Sequence, residues 1–184
     1  MSHAIFCYKS LVGKPIKEEA LLLIKLHLET LGHCEKNVPM QHRIVRALET
    51  INPSLETIQL NHEAIAVQQS ITLEEAEYLY DHIDLNTPPH ETPVSLSILH
   101  HMVSIRVGNW PKGAASDKLI IDLGRYIKAI REVAGYFVYD PQLDTVFDPA
   151  ENNFQRLKLY MAEEDPLTRL IDAPKDKKPW YKFW

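Results

Sequence analysis

Glycine is scarce in this chain, six residues in 184, and none are clustered. Neither GxGxxG nor GxxxxGK followed by Ser or Thr occurs, so the common phosphate-cradling loops are absent. GxSxG is missing too, and no nucleophile elbow is expected. Cysteine is nearly absent: Cys7 and Cys34 are the only two, in neither a CxxC nor a metal-like spacing. That excludes a disulfide scaffold and reads as two reduced thiols of a cytosolic protein. Cys7 lies among apolar neighbours, where a thiol is inert. Long apolar runs are lacking as well. The longest, residues 20–24, has five residues, against the ~20 that a membrane helix needs. No basic region leads into an apolar stretch near residue 1, so no secretory signal is expected. Positive charge is also short: 20 Lys and Arg face 25 Asp and Glu, a net charge of −5. A nucleic-acid partner is disfavoured, because phosphate neutralisation calls for a basic excess.

What is present is ordinary globular sequence, 45% apolar and 24% charged. At 21.2 kDa such a chain buries ~70% of its unfolded surface without disulfide or metal. Residues 4–8 read as a buried strand. Ile16, Ala20, Leu23, Ile24, His27 and Leu31 share one helical face, and Leu21, Leu22, Leu26 and Leu28 widen it, so this helix is expected to be covered on more than one side. Residues 41–51 repeat the helical pattern and stop before Pro53. Residues 55–60 suggest a half-buried strand, and 61–69 a short helix. Thr72 and Glu75 form a capping box for the next helix, and 82–85 suggest another strand.

Two alternating runs follow, Val94-Leu96-Ile98 and Val103-Ile105-Val107, with serines and Arg106 between them. They predict a hairpin with one buried and one wet face. Residues 116–134 form the best amphipathic helix, closed by Gly135. A second hairpin spans 136–147, and a last helix is expected over about 154–161. Strands arriving as hairpins predict α+β, with a largely antiparallel mixed sheet packed by several helices. Residues 1–165 are expected to form a single domain and 166–184 a C-terminal tail.

The nine histidines invite a metal reading. His62-Glu63 and His90-Glu91 both lack the second His of HExxH. His33, Cys34 and His42 lack a fourth ligand at finger-like spacing. No metal and no cofactor are expected. Val138-Tyr-Asp-Pro141 and Val146-Phe-Asp-Pro149 echo each other, which reads as the same turn chemistry used twice. A hydrolase or metal-dependent enzyme would draw on His100, His101, Asp140 and Asp148 of the two hairpins, and this is the alternative reading.

The C-terminus has the most unusual composition. Residues 174–184 carry four Lys and one Asp, and Trp180, Tyr181, Phe183 and Trp184 fall within the last five positions. Three fates compete for these aromatics: folding back on the domain, docking in a partner's groove, or resting on an anionic membrane surface. Trp110, in the Gly-Asn-Trp-Pro turn, is a further candidate anchor.

Phe6-Cys-Tyr-Lys-Ser10, the segment from Ala134 through Tyr-Asp-Pro-Gln142 with Val146-Phe-Asp-Pro149, and the Lys-Pro-Trp-Tyr-Lys-Phe-Trp ending resemble those of small uncharacterised bacterial proteins. The strand bearing Tyr-Asp-Pro-Gln and the basic aromatic ending are also similar to some immunity proteins of bacterial toxin systems. That resemblance implies a cytosolic, non-catalytic protein that binds and blocks a cognate toxin, and it carries over no catalytic residue. The expectation is therefore a bacterial, cytoplasmic protein-binding module. Its acidic body would suit a basic partner such as a toxin, with Trp110, Trp180, Tyr181, Phe183 and Trp184 as anchors.

Overall fold

The computed structural model describes residues 3–30 and 36–151. In chain order these form β1 (His3–Tyr8), α1 (Lys17–Thr30), α2 (Val38–Ile51), β2 (Glu56–Ile58), α3 (His62–Gln69), α4 (Leu73–Leu79), β3 (Ile83–Asn86), β4 (Val94–Ile98), β5 (Met102–Val107), α5 (Ala114–Ala134), β6 (Phe137–Asp140) and β7 (Thr145–Phe147). A 3-10 turn, Pro149–Glu151, follows. The strands make one sheet in the order β2-β3-β4-β5-β1-β6-β7. Every pairing is antiparallel, so the fold is α+β. The expected helix over 154–161 and the tail 166–184 lie outside the described residues.

Period-two patterning sends alternate side chains to opposite faces. On one face Ile5, Cys7, Leu85, Leu96, Ile105 and Val138 meet Ile44 and Leu48 of α2 and Leu123, Ile127 and Ile130 of α5. On the other, Ala4, Phe6, Tyr8, Met102, Phe137 and Tyr139 gather around Ala20, Leu23 and Ile24 of α1. The Tyr8 hydroxyl fastens the approach to α1. It donates to the Ile16 carbonyl at 2.9 Å and accepts the Ile16 N–H at 2.7 Å.

Three expectations need correction. The β4–β5 hairpin does not have one wholly wet face. Ser95 and Arg106 are exposed, but Met102 and Ser104 are buried, and Met102 joins the aromatic layer at α1. Among the described residues helix α1 is covered on one side, where it meets the sheet along Ala20, Leu23 and Ile24; Leu21, Leu22 and Leu26 are exposed. Strand β2 is not half-buried: all three of its residues are exposed, because it is an edge strand. Leu55, just before it, is the residue that reaches the core.

The local signals hold. The Thr72 side chain accepts from the Glu75 N–H while Glu75 accepts from the Thr72 N–H. Gly135 closes α5 at φ +72°, a conformation that favours glycine. Among the described residues no helix is long and apolar enough to cross a membrane.

Candidate protein-binding surface

The residues of the enzymatic reading occupy separate places. His100, in the β4–β5 turn, is buried. Its Nδ1 accepts the Asn37 N–H at 2.9 Å, so the proton sits on Nε2 and is donated to Asp81 Oδ1, also at 2.9 Å. Lys36 Nζ lies 2.6 Å from the other Asp81 oxygen. Both ring nitrogens are thus committed to structure, and neither is left to move a substrate proton. The neighbouring His101 carbonyl accepts from the Lys9 N–H at 3.0 Å, which ties this turn to the Tyr8 end of β1.

Asp140 lies toward the opposite end of β1. It is fully buried, with Oδ2 3.5 Å from His3 Nε2. The six residues of β1 span about 17 Å, so the His100 and Asp140 clusters do not share a cleft. Asp148 is held elsewhere, by two 2.7 Å bonds from Arg131. These bonds hold the Asp148 carboxyl below the usual carboxylate range. Asp140 Oδ1 accepts from the Gln142 and Leu143 N–H groups, and Asp148 Oδ1 from the Ala150 N–H. The echoed Asp-Pro pairs therefore use the same turn chemistry. Among the described residues no three His, Cys, Asp or Glu side chains gather as a metal site.

Of the expected partner anchors, Trp180, Tyr181, Phe183 and Trp184 lie outside the described residues. Trp110 has internal partners. Its ring centroid lies 5.3 Å from that of His3, its Nε1 donates to Ser116 Oγ at 2.8 Å, and it packs against the main core.

A different surface emerges where charge is mapped onto the fold. Between Arg46 and Arg106 lie 59 residues without a single Lys or Arg, carrying nine Asp and Glu. That stretch has a net charge of −9, and the remainder of the chain is +4. Most of it folds into β2, α3, α4, β3 and β4, the β2 end of the sheet, while residues 47–51 belong to α2 and 102–105 to β5. Glu56, Glu63, Glu74, Glu75 and Glu77 are exposed there. The Thr72 N–H and hydroxyl hold the Glu75 carboxyl below its ordinary value. At Asp84 burial opposes ionisation, but hydrogen bonds from His82 and Ser97 and the nearby Arg106 outweigh it, and its pKa is lowered.

Apolar side chains stand among these charges: Val67, 82% exposed, with Leu73, Tyr78 and Ile58. Val67 lies in the last turn of α3 and Leu73 opens α4, across the Ser70–Thr72 connection. The surface already shows how it treats a lysine. Lys36 Nζ sits 4.1 Å above the Tyr78 ring while its charge meets Asp81, a cation–π contact joined to an ion pair. Sequence reasoning missed this region because the whole-chain charge averages it away, although the absence of Lys and Arg from residues 47–105 is plain in the sequence.

A second apolar strip lies on the far side of the sheet. Leu11, 86% exposed, and Val12 form a loop tip fixed by bonds to Ser10 Oγ and Glu19 Oε2. Leu22 continues it along α1, flanked by charges of both signs. Comparison with protein-family models, with curated proteins and with solved structures returns no match to this chain.

Proposed function

We propose that this protein is a non-catalytic binding module that docks a basic protein partner on the face built by β2, α3 and α4. The observation that carries the reading is the 59-residue stretch with nine acidic and no Lys or Arg residues, most of it at the β2 end of the sheet, where Val67, Leu73 and Tyr78 are exposed. Apolar anchors within a ring of like charge give affinity at the centre and steering at the rim. The resemblance to immunity proteins names one class of basic partner, a toxin that this protein would block in a bacterial cytoplasm. The commitment of His100, Asp140 and Asp148 to separate internal partners favours binding over turnover.

The test is capture from lysate of the source organism, with the wild-type chain and with Glu63→Lys/Glu74→Lys/Glu77→Lys. The expected result is a basic protein retained by the wild type and lost at least about tenfold by the reversal, with capture falling as salt rises. Retention that ignores the reversal, or a captured protein that is not basic, overturns the reading.

A further inference from the structure

We infer that the acidic face has an occupant within the same chain: the C-terminal segment 174–184 docks on it in cis and must be displaced by any outside partner. The inference rests on the binding role proposed for that face and deepens it into regulation. Three observations carry it.

The first is charge. Segment 174–184 has four Lys and one Asp, a net +3, and the 47–105 region has nine acids and no Lys or Arg. The second is chemistry. The segment alternates lysine with Trp180, Tyr181, Phe183 and Trp184, and the face offers exposed Val67, Leu73 and Tyr78 between carboxylates. Lys36, seated on the Tyr78 ring and paired with Asp81, already displays the lysine–aromatic–carboxylate contact that the segment would repeat.

The third is reach. Residues 152–173 lie between Glu151, which follows β7, and the segment. These 22 residues extend to at most ~73 Å. The sheet from β7 to β2 is six strand spacings wide, about 29 Å. The tether is therefore long enough. The competing apolar strip at Leu11, Val12 and Leu22 is a poorer seat, because Lys14, Lys17 and Lys25 stand there beside Glu18 and Glu19, so it offers a basic segment no acidic excess.

Tethering matters quantitatively. An effective concentration on the order of 1 mM makes even a segment of about 0.1 mM intrinsic Kd roughly 90% docked, and weakens an outside competitor about tenfold.

The test uses the full chain and its tryptophan indole N–H resonances, with Trp110 as an internal reference. Glu63→Lys/Glu74→Lys/Glu77→Lys is expected to shift the Trp180 and Trp184 signals and leave Trp110 in place, with tenfold dilution changing nothing. Unmoved Trp180 and Trp184 signals overturn the inference. So does a shift on dilution, which would place the segment on a second copy, and so does a response to Leu11→Ser/Leu22→Ser in place of the acidic reversal. Lys177→Glu/Lys178→Glu/Lys182→Glu separates this inference from the reading beneath it. That variant is expected to raise capture of the basic partner about tenfold. Unchanged capture, with the acidic reversal still abolishing it, defeats the cis segment and leaves the binding role standing. Capture indifferent to both variants defeats the binding role, while the indole signals still decide the segment's place.

Discussion

Strands β1 and β2 belong to one sheet and could hardly differ more. Every residue of β1 is buried, and every residue of β2 is exposed. β1 lies between β5 and β6 and has helices over both faces; among the described residues β2 has one neighbour, β3. The difference teaches that the two ends of this sheet do different work. The centre supplies stability through area removed from water. The β2 end, with α3 and α4, leaves its apolar and charged groups in solvent, where a partner can reach them.

If that division is right, substitutions should fall in a steep order. Ile105→Ala, at a fully buried position of β5, is expected to cost about 3 kcal/mol in urea unfolding, from lost transfer energy and an unfilled cavity. Arg131→Ala is next, at about 1–2 kcal/mol near neutral pH, because it removes a two-pronged bond to Asp148 and a contact over the Phe137 ring. That cost should depend on pH. The folded-state pKa of Asp148 is depressed, so its stabilisation is complete above the unfolded value of about 4 and fades as pH falls through the lower folded value. The gap between wild type and Arg131→Ala should therefore narrow as pH falls below the ordinary carboxylate range; a constant gap would refute the assignment. Thr72→Ala, which removes the α4 cap, is expected to cost about 1 kcal/mol. Smallest of all, Val67→Ser should shift stability by less than about 0.5 kcal/mol while weakening partner capture several-fold. A large loss of stability there would mean that α3 belongs to the core and not to a docking face.

Much of the fold was legible in the sequence because its signals are local. Alternation over Val94–Ile98 and Met102–Val107, the 3.6-residue pattern of α5, the Thr72–Glu75 box and the Gly135 stop each lie within one element. What was not legible depends on strand order. Leu21 and Leu22 read as core because they sit in the most apolar run of the chain, yet α1 has only one sheet face to meet. Ser104 read as wet because alternation cannot say what covers the second face. The pairings His100–Asp81 and His3–Asp140 join separate elements, and no spacing rule announces them. The acidic face is the instructive miss: its residues are contiguous in sequence, but a net charge for the whole chain hides a deficit of one sign.

Cys7 gives the centre of the sheet a further use. It is 1% exposed in β1, and burial pushes its thiol pKa well up, so an alkylating reagent reaches it only when the central strands part. With Cys34 replaced by serine, the rate at which this one sulfur is modified becomes a clock for opening of the whole sheet. It would tick at the same pace whether or not the distant acidic face is occupied, unless what binds there also holds the native state together.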